Sequence, residues 1–333
     1  MKIKPFHLEK GDTIGIVSPS STIKPFPRRL RRGIKALRRL GLQIKLGKYT
    51  TSSFGHNSGT PQQRAEDIMR FFEDGEVRGI ICSTGGWTSN ALLPLLDYQL
   101  IRKNPKVFCG FSDITALNLA IFKKAGVITF NGPTVLPTFG EFGGPDKFTI
   151  KWFKKALFET KPIGILEFPN EYTEEILWWD KEDNRKRVTK PSDGPKCVYP
   201  GTAEGILIGG NLSTLCILGG TQYFPDFSNA ILFLEDEGES TSSTERNLTY
   251  LEQLGVFKKI KGLIYGRPFN LKVDSKDRTL FDILEDFGQR YKIPIIMDVD
   301  IGHTSPMITL PIGVKTIINS ELKIINIVEN ATV

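Results

Sequence analysis

Apolar runs and amphipathic segments alternate along the first half of the chain. Thr13-Ile14-Gly15-Ile16-Val17 reads as a buried strand, closed by the turn-rich Ser18-Pro19-Ser20-Ser21. Leu30, Ile34, Leu37 and Leu40 recur at helical spacing and predict a helix with one apolar face and one face of arginines. An extended stretch around Leu42 to Leu46 follows. Thr60-Pro61 marks a helix start, with Thr60 as N-cap and Pro61 at the first helical position. That helix turns Ile68, Phe71 and Phe72 inward. Gly79 to Cys82, Val107 to Gly110 and Val127 to Phe130 are further short apolar strands, with a helix from about Ile114 to Ala125 between the last two. Strands separated by helical segments imply a parallel sheet with helices on both faces.

From Lys161 to Gly201 this alternation lapses. The segment is rich in charge and proline and carries Trp178 and Trp179 side by side. It reads as a crossover between domains that includes a long loop. Beyond it, strands at Ala230 to Leu234, Gly262 to Tyr265 and Pro294 to Val299 mix with helices near Glu245 to Leu254 and Leu280 to Gly288. A hairpin of Val314 to Ile318 and Leu322 to Val328 closes the pattern, turning at Asn319-Ser320. The division expected is an α/β domain over 1–160, a crossover with an aromatic loop over 161–200, and a second domain over 201–333.

Composition then narrows the class. With 333 residues, 40% of them hydrophobic and 24% charged, the chain has enough apolar material for large cores. The leader MKIKPFHLEKGD lacks the apolar run of a signal peptide, and Gly205 to Gly220 is too short and too polar to span a bilayer. A soluble cytoplasmic protein is the expectation. Cys82, Cys109, Cys197 and Cys216 are widely spaced, with no CxxC pair, so neither a zinc site nor a disulfide framework is indicated. The net charge of +7 is local: ten cations between Lys24 and Lys48, with no acid among them, leave −3 for the remainder. A solvated outer helix face explains them better than nucleic acid, because no aromatic interleaving or nucleic-acid motif accompanies them.

Parallel sheets hold ligands at the carboxyl ends of their strands, so the loops there are the places to search. Gly110-Phe111-Ser112-Asp113 follows an apolar strand and opens a helix, which can hold a serine hydroxyl out from the sheet edge. The same pattern also fits an ordinary helix cap. Leu234-Glu235-Asp236-Glu237 runs a strand into three acids, as candidate orienting carboxylates or as solvated ones. Only three histidines occur, and His303, in the loop Gly302-His303-Thr304-Ser305-Pro306, is better placed for a base than His7 or His56. It also fits a structural loop histidine. A serine needs an imidazole to take its proton, and the imidazole needs a carboxylate to set its tautomer. Gly85-Gly86 after the strand ending at Thr84 allows close backbone approach, with an amide free for an oxyanion or simply a tight turn.

Taken in order, Gly11-Asp12 through Ser21, Gly59-Thr60 with Arg64, Ser83-Thr84-Gly85-Gly86, Gly110 to Asp113, Asn131-Gly132-Pro133, Gly209 to Leu212, Leu234 to Asp236 and Gly302-His303 resemble the LD-carboxypeptidases of peptidoglycan recycling and their microcin C immunity relatives. The resemblance implies a triad of Ser112, Glu235 and His303, and an oxyanion hole from the backbone amides of Gly86 and Asp113. It implies an N-terminal α/β domain, a C-terminal domain with a small barrel-like sheet, a dimer, and no metal or cofactor. Trp178-Trp179 points to the immunity branch, in which a loop aromatic stacks on the base of a peptidyl or aminoacyl nucleotide. Packing at an interface is the other role open to the pair. Asn211 and Arg246 are candidate substrate contacts, the latter for a carboxylate or phosphate or else an ordinary surface arginine. Removal of the terminal D-alanine from a muropeptide is the alternative reaction. A non-catalytic small-molecule binding protein is the alternative class.

Overall fold

The parallel sheet expected from the first half forms as the alternation dictates. In the computed structural model, which describes residues 2–333, its strands are β1 (Thr13–Val17), β2 (Gln43–Leu46), β3 (Val77–Cys82), β4 (Val107–Gly110) and β5 (Thr129–Asn131). They lie in the order β2-β1-β3-β4-β5, all parallel. Between and after them run α1 (Pro27–Arg39), α2 (Pro61–Glu73), α3 (Tyr98–Lys103), α4 (Thr115–Ala125) and α5 (Lys147–Leu157). Thr60 caps α2 with a reciprocal bond to Gln63, and Pro61 stands in the first turn, where its missing N–H costs nothing. Ile68 and Phe72 of that helix are fully buried, with Phe71 nearly so.

Residues 161–200 contribute short strands, β6 (Gly164–Ile165), β7 (Glu171–Tyr172), β8 (Lys190–Pro191) and β9 (Lys196–Tyr199). Strands β7 and β8 pair with each other, at the two ends of the loop that carries the tryptophans. A second sheet is built on β10 (Thr202–Asn211), β11 (Ala230–Glu235), β12 (Gly262–Gly266) and β13 (Ile295–Val299), which are parallel in that order. The helices α6 (Leu212–Cys216), α7 (Thr241–Gln253) and α8 (Leu280–Tyr291) connect them.

Three strands end the chain: β14 (Leu310–Ile312), β15 (Lys315–Asn319) and β16 (Ile324–Ile327). The last two make the expected hairpin and extend the second sheet to eight strands, ordered β6-β16-β15-β10-β11-β12-β13-β9. The resemblance implied a small barrel-like sheet here; the sheet has β6 and β9 at its two ends. Strand β14 instead crosses to the first sheet and pairs antiparallel with β5, so the two sheets are laced together by the C-terminal segment. Among the described residues no helix is long and apolar enough to cross a membrane.

Arg28, Arg31, Lys35, Arg38 and Arg39 of α1 are exposed, as a solvated cationic face requires, and Arg29 is the departure. Arg29 is buried, where it donates to the Leu136 carbonyl and pairs with Asp183 and Glu141. Its guanidinium also lies 4.8 Å from the ring centre of Trp179. Arg32 joins it on Asp183, and Arg187 joins it on Glu141. One cation of the stretch is therefore an internal anchor that fastens the aromatic loop to α1. A charge buried at this depth is tolerated because it is paired and hydrogen-bonded.

Candidate active site

Ser112 sits where β4 ends, on a short 3-10 turn that leads into α4. Its backbone is left-handed, with φ 63°, a conformation that costs a non-glycine residue on the order of 1–3 kcal/mol and that persists where surrounding structure imposes it. Gly85 makes the approach possible: a Cβ on it would stand 2.9 Å from both Cβ and Oγ of Ser112. Asp113, next in sequence, is buried, and its carboxylate caps the amide of Ser89 while its carbonyl accepts from the Ser89 hydroxyl. The turn is thus braced from below, leaving Ser112 on the cleft wall.

The Gly85-Gly86 loop is held by the serine-rich turn after β1. Ser18 and Ser83 share a 2.7 Å hydroxyl contact, and Ser20 Oγ accepts from the amides of Trp87 and Thr88. Buried Arg64 donates to the carbonyls of Gly59, Pro19 and Thr88, tying these loops together. Gly86 has φ 148°, and a side chain there would strike the hydroxyls of Ser20 and Ser21. The segments around Ser18, Arg64 and Gly85 are therefore bonded together around Gly86, which lines the cleft.

Glu235 ends β11, opposite Asn211 of β10, and is wholly buried. Its Oε2 lies 2.6 Å from Nδ1 of His303. Gly302 permits this contact, since any Cβ on it would collide with that oxygen. Nε2 of His303 is 3.0 Å from Oε2 of Glu237, whose side chain is 53% exposed and lines the cleft. The rings of Phe111 and Phe269 flank the imidazole. Burial opposes charge on His303, but the two carboxylates outweigh it and raise its pKa to about 10. Glu237 is correspondingly held below the usual carboxylate range by the His303 bond. Asp236 faces away, buried against the Tyr265 hydroxyl, and burial pushes its pKa up to about 6.

A cleft of ≈ 730 Å³ is lined by Gly85, Gly86, Phe111, Ser112, Glu237 and His303 together with Trp178 and Trp179. Trp178 is 66% exposed. Trp179 is engaged, edge-on to Phe26 at 5.2 Å and covered by Arg29. Backbone bonds between Thr173 and Ser305 tie the aromatic loop to the histidine loop.

Two expected contacts fall outside this cleft. Asn211 is the N-cap of α6, its carbonyl oxygen accepting from the Thr214 amide and from the Ser213 and Thr214 hydroxyls. Arg246 is exposed on the outer face of α7. Conversely, Glu237 entered the sequence reading only as one of three acids at a strand end, and its contact with Nε2 of His303 was not foreseen. The signal was present: in extended chain, residues two apart share a face, so an acid two places beyond Glu235 points to the same side. Cys82 and Cys109 end β3 and approach the end of β4, yet burial pushes both thiols up, away from the nucleophilic thiolate. Among the described residues no group of three or more histidine, cysteine or acidic side chains is arranged to hold a metal ion.

A strained serine on a strand-to-helix turn, with a carboxylate-held imidazole on the same cleft, defines the hydrolase class that works through an activated hydroxyl. Comparison with known proteins specifies it. Residues 14–132 match the LD-carboxypeptidase N-terminal domain and residues 204–318 the LD-carboxypeptidase C-terminal domain, and the chain belongs to this family of serine carboxypeptidase-type hydrolases. It is 35% identical over 330 residues to the microcin C7 self-immunity protein MccF of Escherichia coli, covering 97% of this chain and 94% of that one. A probable murein peptide carboxypeptidase of Bacillus subtilis is 34% identical over 325 residues, covering 97% and 93%. The solved structure of MccF in complex with glutamyl sulfamoyl guanosine superposes with a TM-score of 0.92 at 33% identity, covering 99% of each chain.

Proposed function

We propose that Ser112, His303 and Glu235 act as a catalytic triad on a C-terminal amide or acyl-nucleotide linkage of a small peptidyl or aminoacyl nucleotide. Ser112 Oγ attacks the carbonyl carbon while its proton passes to Nε2 of His303. Glu235 holds the ring through Nδ1 and stabilises the imidazolium. The amides of Gly86 and Asp113 donate to the oxyanion, a contribution of about 10²–10³ in rate for each donor in comparable sites. The imidazolium returns the proton to the leaving group, and water then resolves the acyl-enzyme by the same steps in reverse.

The observation that carries this reading is the left-handed Ser112 on a cleft it shares with a histidine fixed by a buried carboxylate. The nucleotide half rests on the open face of Trp178, together with the ligand that MccF holds in its solved complex. A cytoplasmic homodimer belongs to the same proposal; the four free cysteines support the compartment.

The relative named as a murein peptide carboxypeptidase favours a second reading, release of the terminal residue of a muropeptide. Incubation with an aminoacyl sulfamoyl adenylate and with a muropeptide tetrapeptide, followed by mass spectrometry, separates the two. Ser112→Ala abolishes cleavage of whichever is the substrate, and undiminished turnover in that variant sinks the mechanism. Labelling of Ser112 by a phosphonylating probe distinguishes an enzyme from a binding protein on the same scaffold.

A further inference from the structure

His303 is engaged on both nitrogens. Nδ1 faces Glu235 at 2.6 Å and Nε2 faces Glu237 at 3.0 Å. An ionised carboxylate only accepts, so both ring nitrogens carry protons in this arrangement. Such a ring cannot take the proton of Ser112. Glu237 therefore stands as a latch on the base that the proposed mechanism needs free.

The latch is built to move. Its backbone is fixed, with Glu237 bridged to Phe269 and the Gly238 amide bonded to the Phe269 carbonyl. Its side chain is half exposed in the cleft, and among the described residues its ion-pair partner is His303. Other charges near the ring are committed elsewhere. Asp236 bonds Tyr265 and Thr244 behind the strand end, and Asp300 is paired with Arg267. An ammonium group entering beside the scissile carbonyl would compete with the imidazolium for Glu237 and draw the carboxylate away from Nε2.

We propose that Glu237 reads a positively charged group on the substrate, in the first place a free α-amine of the acyl part, and that this contact releases His303 to act as base. On release Nε2 gives its proton to water or buffer, and the neutral ring then accepts the proton of Ser112. The inference rests on the serine hydrolase reading and extends it to a substrate class: acyl groups carrying an ammonium next to the bond that is cut.

Two readouts test it. Affinities for an aminoacyl sulfamoyl adenosine and for its N-acetylated counterpart are measured calorimetrically in the Ser112→Ala background, with and without Glu237→Gln. Preference for the free amine, about tenfold or more with Glu237 in place, falls to near parity with Gln. Imidazole NMR titration is simple with three histidines, and His303 titrates at least about one pH unit lower in Glu237→Gln, tenfold in proton affinity. Glu237→Ala repeats both readings should Gln hold the ring in its own way. Indifference to N-acetylation, a preference that survives in the variants, or an unshifted His303 titration overturns the proposal. Failure of the hydrolase reading is seen separately, as undiminished turnover by Ser112→Ala, and leaves the titration and affinity results to judge the latch.

Discussion

Nδ1 of His303 lies 2.6 Å from Oε2 of Glu235, a carboxylate with no exposed surface. The other oxygen of Glu235 has no protein hydrogen-bond partner, so the imidazole is the principal compensation for burying this charge. Such a pair fixes ring orientation and favours the protonated ring in the transition state. Glu235→Gln keeps the shape but removes the charge and lets the amide face Nδ1 with the wrong hydrogen. The expected loss in kcat is roughly 10³- to 10⁴-fold, with little change in KM. A variant within tenfold of wild type would remove Glu235 from the mechanism.

The same pair links stability to pH. His303 has its folded pKa raised to about 10, above the ordinary 6.5. The folded state therefore binds the proton more tightly than the unfolded chain, and stability rises wherever that proton is kept. The contribution is complete below about 6.5 and is lost as pH climbs through about 10. Asp236, raised to about 6, titrates in a lower window and does not obscure it. Denaturation of wild type and of the double variant Glu235→Gln, His303→Gln between pH 7 and 10.5 checks the sign. The wild-type advantage should shrink with rising pH; a constant or growing gap contradicts the pairing.

Gly302 is a second dependence of the pair. It has φ 86°, and a Cβ on it would run into Oε2 of Glu235. Gly302→Ala therefore carries backbone strain of about 1–3 kcal/mol and a displaced carboxylate as well. Gly55 is the control, with φ 60° and open space around it, where only the backbone cost applies. Thermal melting should show both variants destabilised, and activity should fall steeply in Gly302→Ala alone. Equal activity in the two would mean that the Gly302 backbone does not set the site.

What the chain revealed in advance was local chemistry. Thr60-Pro61 with Gln63 is a helix start that needs nothing beyond its own residues, and it forms as read. Strand β10 escaped because its glycines at Gly205, Gly209 and Gly210 weaken the strand pattern, and their reason is tertiary: side chains at Gly205 and Gly209 would strike the backbone of β11. The crossing of Leu310–Ile312 to the first sheet is three residues long and contains a proline, too little for any periodicity. Ser112, the three acids from Glu235 to Glu237 and His303 stood out as residue types at strand ends and in a glycine loop, and the family resemblance singled out Glu235 among the acids. Their company was not legible: Glu237 on Nε2 depends on how two loops meet. Arg29 looks like its neighbours until Asp183, 154 residues away, is folded against it.

Arg29 yields a test of how the aromatic loop is held. Breaking a buried ion pair by removing one member costs about 3–5 kcal/mol, because the partner is left uncompensated. Here Arg32 remains on Asp183 and Arg187 remains on Glu141, so the loss should lie at or below that range. Arg28, exposed on the same helix, sets the baseline, and its replacement should change stability by no more than about 0.5 kcal/mol. Arg29→Met should also quicken trypsin cleavage within the loop at Lys181, Arg185 or Lys186. Stability equal to that of Arg28→Met, with unchanged cleavage, would show the anchor to be idle.

The two adjacent tryptophans should separate cleanly, because their surroundings differ. Trp179 is used by the protein itself, edge-on to Phe26 and under the Arg29 guanidinium. Removing it forfeits both contacts, a loss on the order of 1–3 kcal/mol in stability, with the loop loosened as a consequence. Trp178 presents its indole to the cleft and is 66% exposed, so its removal leaves the melting temperature nearly unchanged. A base stacked on an aromatic face gains about 1–3 kcal/mol, which corresponds to roughly 5- to 150-fold in affinity. Trp178→Ala should therefore weaken binding of adenosine monophosphate by that factor, while Trp178→Phe keeps most of it because a flat apolar face remains. Calorimetric titration together with thermal melting reads both variables. Should Trp178→Ala bind the nucleotide as wild type does, the open indole serves something other than a base, and the muropeptide reading gains the advantage.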